Sequence, residues 1–280
     1  MAAPQHAWPL VGRDTELAAI ATLANGAAEG VGGCVVVAAM AGAGKTHLLD
    51  GVAQRATGVE LRRATARGGT VAPYSFVTAA FGQPAHWAAQ GGPRSFFEAG
   101  VGNAADAFAV DRLLEHVDEL AAHGPILALL DDAHLADTGS AHFLAALLPR
   151  LASLPVALVL ATRPAPAGSA LAAVWPTLAE FGAVVDLAPL ATDDLSALCT
   201  ARFGAPPGPR LAASLAATGG VPLLAATTLE AIADSAVEVA DGRADIDAAT
   251  DDALRTVVPD PVKSRVESVV GDDAVLAAAA

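Results

Sequence analysis

The stretch Val35 to Asp50, VVVAAMAGAGKTHLLD, constrains the fold more than any other part of the chain. Val35, Val36 and Val37 form a β-branched run with no alternating polar residue, which predicts a strand buried on both faces. Small residues from Ala39 to Gly44 follow, then Lys45, Thr46 and His47, with Leu48 and Leu49 opening a helix. Strand, glycine-bearing turn and helix in that order aim a helix N-terminus at the turn, where backbone N–H groups converge. Ala41, Gly42, Ala43 and Gly44 are small enough for those groups to curl into a nest around an anionic phosphate. Lys45 then reaches the β and γ oxygens, and the Thr46 hydroxyl is a ligand for Mg²⁺. The pattern G-x-x-x-x-G-K-[ST] is met except at its first position. Ala39 stands there, which matters only if the backbone needs positive φ. The alternative is a glycine-rich turn with an incidental lysine. It must explain why one of only two lysines in the chain, Lys45 and Lys263, falls at this place.

A second chemical stretch runs from Gly124-Pro125 through Ile126-Leu127-Ala128-Leu129-Leu130 to Asp131-Asp132-Ala133-His134. An apolar run that ends in two carboxylates suits a buried strand whose C-terminal edge holds a cation, the Walker B arrangement. Asp131 orients Mg²⁺ in this reading and Asp132 polarises the attacking water. The alternative is a strand followed by an Asp-Asp turn or helix cap. His134 is read as a loop-packing or hydrogen-bonding residue without a catalytic part. Leu154 to Thr162, LPVALVLAT, is a third buried strand that Arg163-Pro164 terminates. An arginine at that tip is placed to sense a γ-phosphate through its forked donors, or is an ordinary surface arginine at a strand end.

Around these motifs, Asp14 is the predicted N-cap of a helix carrying Leu17, Ile20 and Leu23. Val59 to Ala64 reads as a strand, Pro73 through Phe81 to Gly102 as an irregular insertion, and Ala104 to Ala122 as a covering helix with Leu113, Leu114, Val117 and Leu120 on one side. Val184 to Leu190 is the last predicted strand. Thr192-Asp193-Asp194-Leu195 has the N-cap and acid pattern of a helix start, and everything beyond reads as helical apart from a polar loop from Asp241 to Asp252. Pro259-Asp260-Pro261 leads into a helix through Val266 and Val269. The sequence given stops inside the apolar run Ala274 to Ala280, which leads us to expect a piece of a longer chain. The expected fold class is α/β, a P-loop NTPase parallel sheet flanked by helices and followed by a small helical lid. Residues 1–190 form the nucleotide-binding part; residues 191–280 form the lid and the start of a further helical or winged-helix domain.

Composition narrows the partners. A net charge of −14 opposes attraction to a nucleic-acid backbone. The cluster Arg62, Arg63 and Arg67 reads as the solvated end of a strand. No apolar run is long enough to span a bilayer, and MAAPQHAWPL has no basic region leading into an apolar one, so a cytoplasmic protein with no membrane partner is expected. Cys34 and Cys199 lie in apolar surroundings and read as buried free thiols.

In this order the motifs resemble the STAND class of AAA-like ATPases, in particular the large ATP-binding regulators of the LuxR type. Val11-Gly12-Arg13-Asp14-Thr15-Glu16-Leu17 is similar to their G-R-[DE]-x-E-L signature. Asp131 to Asp137, DDAHLAD, is similar to D-D-x-H-W-A-D with Leu135 in place of tryptophan, and Gly219-Gly220-Val221-Pro222-Leu223 to the G-N-P-L box with Val221 in place of asparagine. The resemblance implies that Val11 and Arg13 fold over adenine and ribose, that Pro222 packs near the adenine, and that Arg163 is a sensor. The implied cofactors are ATP or ADP with Mg²⁺, bound by Ala41 to His47. It implies a slowly hydrolysing switch domain of a transcriptional regulator, with self-association or downstream domains as partners. Two rivals stay open: a nucleotide-binding scaffold with degenerate hydrolysis, and a stand-alone AAA-like ATPase.

Overall fold

The computed structural model describes residues 8–68, 72–84, 87, 102–164 and 167–257. The chain divides into two compact units, one of Arg13–Ala188 and one in which Met1–Gly12 joins Pro189–Ala280.

The larger unit alternates helices and strands: α1 (Asp14–Ala28), β1 (Gly33–Ala38), α2 (Lys45–Arg55), β2 (Glu60–Thr65), α3 (Ser75–Phe81), α4 (Gly102–His123), β3 (Ile126–Asp131), α5 (Thr138–Leu147), β4 (Val156–Thr162), α6 (Ala170–Phe181) and β5 (Gly182–Asp186). The strands form one sheet in the order β2-β3-β4-β1-β5, and every pairing is parallel. Parallel strands need crossovers, and the intervening helices supply them while covering both faces. Hence β3 and β4 are buried at every position, as their unbroken apolar runs require. The outer strands are the exposed ones. On β2, Arg62 pairs with Glu60 and Arg63 with Asp50, each at 2.6 Å, and charges of this kind discourage pairing with another strand. Phe81, Leu113, Val117, Ile126, Phe143, Leu144 and Leu158 fill the core beside the sheet.

The smaller unit packs α7 (Thr192–Phe203), α8 (Pro209–Ala216) and α9 (Pro222–Ala231) with β6 (Val237–Ala240), β7 (Arg243–Ile246) and α10 (Ala248–Val257). Its core holds Leu195, Leu198, Leu211, Leu215, Leu229, Ile246 and Leu254. No helix among the described residues is long and apolar enough to cross a membrane.

Several expectations need correction. Asp14 is the first helical residue of α1, and the cap position falls on Arg13, which makes no capping hydrogen bond. The stretch from Pro73 is not wholly irregular, because α3 occupies Ser75–Phe81. The last strand of the sheet lies at Gly182–Asp186, earlier than Val184 to Leu190. The cap of α7 is Ala191, whose N–H is accepted by the Asp194 carboxylate at 2.9 Å. The region after residue 190 is not all helical, and Asp241 to Asp252 is not a loop. β6 and β7 form an antiparallel hairpin turning at Asp241 (φ 50°) and Gly242 (φ 71°), and α10 follows. The predicted helix through Val266 and Val269 and the apolar run to Ala280 lie outside the described residues.

Both thiols are free and buried. Burial pushes the Cys34 thiol up to about 12, and burial with the Asp245 carboxylate pushes Cys199 up to about 11. Because the thiolate is the reactive form, a thiol reagent at pH 8 is expected to label neither cysteine in the native protein and both after denaturation. Rapid native labelling of either would contradict this packing.

Candidate functional site

The phosphate loop leaves the C-terminal end of β1, a central strand of the sheet. Ala39 N–H donates to Thr162 O at the end of β4 (3.1 Å), which fixes where the loop begins. Among the described residues only Tyr74, Asp132, Asp241 and glycines have positive φ. Ala39 therefore occupies ordinary backbone, and alanine there costs nothing. Gly42 (φ 81°) and Gly44 (φ 90°) do need the left-handed region, where a Cβ is unfavourable. Gly44 caps α2, whose first ladder bond runs from Leu48 N–H to Gly44 O at 2.9 Å. That leaves the N–H groups of Lys45, Thr46 and His47 with no intrahelical acceptor, at the positive end of the helix dipole.

Lys45 is buried, and its Nζ donates to Ala39 O at 2.7 Å and to Met40 O at 2.8 Å. The ammonium is thus folded across the mouth of the loop. Burial lowers its pKa, Arg163 lowers it further, and Asp132 and Asp131 oppose both. These four charged groups form one electrostatic cluster. Arg163 itself is exposed just beyond β4. Arg13 is buried; one guanidinium nitrogen donates to Ala43 O at 3.4 Å, and the other lies 3.5 Å from Glu16.

Asp131 ends β3. Its Oδ2 accepts the Thr46 hydroxyl at 2.7 Å, and its Oδ1 accepts Asp132 N–H at 2.8 Å. β4 lies between β1 and β3, so the Thr46 bond ties the start of α2 to the end of a strand that shares no ladder with β1. Asp132 has φ 51°, a left-handed conformation that aspartate tolerates better than most residues. It turns the chain sharply off the strand into a 3₁₀ turn, Ala133–Leu135.

Sequence reasoning left His134 aside, yet its side chain is only 8% exposed and its Nδ1 lies 3.9 Å from Asp132 Oδ1. That nitrogen is buried without a hydrogen-bond partner among the described residues. Burial holds the imidazole pKa below its usual value; Asp132 and Asp131 pull the other way, while Arg163 and Lys45 add to the lowering. Asp137 also went unassigned. Its carboxylate accepts Tyr74 N–H at 2.7 Å, Ser140 N–H at 2.9 Å and the Ser140 hydroxyl at 2.7 Å, with longer contacts to Ser75 Oγ and Phe76 N–H. A capping pattern, Asp before Thr138-Gly139-Ser140, was the available signal for the α5 end of that hub.

Lys45, Thr46, Asp131, Asp132 and Arg163 are thus gathered at the C-terminal edge of the sheet, with Ala41 to Gly44 and His47 in the adjoining loop and helix start and Arg13 against Ala43. Val11 and Pro222 belong to the smaller unit. Val11 packs against its apolar core, and Pro222 is the first residue of α9. Before it, Gly220 (φ 72°) sits where an added Cβ would lie 2.5 Å from Leu190 O. The oxygens of Thr46 and Asp131 are a suitable donor set for Mg²⁺. No cluster of three or more His, Cys, Asp or Glu that could hold a metal occurs among the described residues. A small hard cation that keeps water and takes phosphate oxygens, as Mg²⁺ does, fits such a sparse protein contribution.

The fold is similar to that of ORC2 from Aeropyrum pernix, solved as ADPNP-ADP complexes, at 15% identity and TM-score 0.58 over 92% of this chain and 71% of that one. It is similar to Cdc6p from Pyrobaculum aerophilum, at 18% identity and TM-score 0.51 over 82% and 63%. It also resembles the RuvB Holliday junction branch migration motor of Thermotoga maritima, at 14% identity and TM-score 0.50 over 91% and 72%. At these identities the likeness is one of fold, that of the P-loop NTPases. No curated protein matches the chain. The AAA ATPase domain family matches residues 9–160, which take in the glycine loop and the acid-ended strand and amount to more than half of the sequence. The chain therefore belongs to the AAA ATPase domain family, as a nucleotide-binding domain.

Proposed function

We propose that this chain is the ATP-binding, slowly hydrolysing switch domain of a signal-transduction ATPase in a transcriptional regulator of the LuxR type, working with Mg²⁺. The observation that carries the reading is the 2.7 Å hydrogen bond from Thr46 to Asp131, which joins the phosphate loop to the acid-ended strand. The order of the V-G-R-D, D-D-A-H-L-A-D and G-G-V-P-L segments supports the regulator context.

The convergent N–H groups at the start of α2 bind phosphate oxygens, and Lys45 exchanges its carbonyl partners for β and γ oxygens. Thr46 and Asp131 would hold Mg²⁺, which supplies charge neutralisation on the phosphates. Asp132 accepts a proton as water oxygen bonds to the γ phosphorus and the bond from that phosphorus to the bridging oxygen breaks, giving ADP and phosphate. Arg163 offsets negative charge on the transferred group. Arg13 and Val11 are assigned to the adenine and ribose, and Pro222 to the base, by the resemblance alone, residues 1–190 being the catalytic part and residues 191–280 the lid. Signalling comes from a difference in ATP affinity between two arrangements of these parts.

The test compares the parent with Asp132→Asn. Asparagine tolerates the left-handed backbone equally well, so ATP affinity is expected to hold within about threefold while phosphate release falls by roughly 100-fold, the usual worth of a general base. Equal phosphate release from both proteins would remove Asp132 from the reaction. ATP binding with no phosphate release from the parent would favour the scaffold.

A further inference from the structure

Three features single out His134 within the cluster. Its imidazole is more than nine-tenths buried; Nδ1 faces Asp132 Oδ1 at 3.9 Å; and Nδ1 has no hydrogen-bond partner among the described residues. A buried polar nitrogen without a partner costs stability. Here the cost is borne beside the carboxylate assigned to the attacking water. The backbone adds a reason: Asp132, at φ 51°, starts the 3₁₀ turn Ala133–Leu135, and that turn carries the imidazole back toward Asp132. The turn is braced from both ends, by the Asp131 carboxylate on Asp132 N–H at 2.8 Å and by the Asp137 hub. Each charged group that bears on the ring, Asp132, Asp131, Lys45 and Arg163, belongs to the nucleotide site.

We propose that His134 is a positioning residue for hydrolysis, donating Nδ1–H to Asp132 Oδ1 directly or through one bridging water, so that the other carboxylate oxygen stays aimed at the attacking water. The role rests on the reading of Asp132 as the proton acceptor and adds the group that orients it. A gap of 3.9 Å is the size that one water or a small tightening on nucleotide binding closes, and catalytic hydrogen bonds are often long before substrate is bound. Burial, with Arg163 and Lys45, favours the neutral ring against the pull of Asp132 and Asp131. With Nδ1 protonated it is a donor without adding positive charge. Outer residues that orient a reacting group are commonly worth 10-fold to 100-fold.

The experiment measures ATP affinity and single-turnover phosphate release for the parent and for His134→Phe, His134→Asn and His134→Gln. The Asn side-chain nitrogen occupies nearly the place of Nδ1, the Gln nitrogen that of Nε2. His134→Phe and His134→Gln are expected to slow release by roughly 10-fold or more with ATP affinity unchanged, and His134→Asn to stay within about threefold of the parent. In an Asp132→Asn background, His134→Phe is expected to add almost nothing, since the group it orients is gone. Parental rates in His134→Phe or His134→Gln would overturn the role. So would equal slowing by all three variants, which marks packing. If His134→Phe does not fold, the contrast of Gln with Asn decides alone. A parent that binds ATP without releasing phosphate would refute the hydrolytic reading itself, and the positioning role with it.

Discussion

Replacing Lys45 by alanine is expected to weaken ATP binding by 100-fold or more in an equilibrium titration. The ammonium is a buried cation at the loop, and a charge-assisted contact to phosphate contributes about 1.5–3 kcal/mol. The same group also braces the loop through Ala39 O and Met40 O. Its loss therefore removes a phosphate ligand and loosens the nest that presents the N–H groups. Lys45→Arg is expected to recover only part of the affinity, because a planar fork does not replace a compact ammonium in a pocket that holds the ammonium at 2.7 and 2.8 Å from two carbonyls. The overall fold is expected to persist, since the sheet is held by the apolar strands β1, β3 and β4 rather than by this charge at their ends. An affinity within threefold of the parent would show that Lys45 does not touch the nucleotide.

Asp137→Ala is expected to lower stability by roughly 2–4 kcal/mol, combining a lost helix cap with donors left unpaired around Tyr74 and Ser140. For a chain of this size that corresponds to a fall in melting temperature of about 3–7 °C by calorimetry. Tyr74 is the vulnerable point. Its backbone is left-handed at φ 61°, a conformation unfavourable for a bulky side chain and kept only because its surroundings fix it. The Asp137 carboxylate holds its N–H, its hydroxyl donates to Asp106, and its ring packs edge-on to Trp87. Gly139 lies beneath the ring, where an added Cβ would stand 2.9 Å from it. Asp137→Asn, which keeps one acceptor oxygen, is expected to lose about half as much. An unchanged melting temperature in Asp137→Ala would mean the hub is not what fastens α3 to α5.

The elements most legible in the sequence were those whose cause is local. Val35 to Val37 and Leu127 to Leu130 have no polar residue to turn outward, so a buried strand is the only fold they favour, and their order with the glycine loop sets a parallel sheet. The positions that misled depend on contacts far along the chain. α3 is only seven residues long, too short for a helical period to stand out, and its entry is held by Asp137, more than 60 residues later. Asp14 looks like a cap because of its residue type. The preceding Arg13 instead takes the cap position and turns its side chain to Ala43 O and Glu16. The β6–β7 hairpin was legible but passed over: Val237-Glu238-Val239-Ala240 alternates, and Asp241-Gly242 is a strong two-residue turn signal, obscured by the alanine-rich helices around it. His134 was passed over because a histidine beside two acids is ordinary in sequence. Only burial and an unpartnered nitrogen distinguish it.

The most direct test is calorimetric titration of ATP into the intact chain, first with Mg²⁺ and then with a chelator. Binding of ATP with Mg²⁺ at this site predicts a saturable one-site heat that weakens when the metal is removed, because Thr46 and Asp131 would share the ion with the phosphates. A flat titration under both conditions would contradict it.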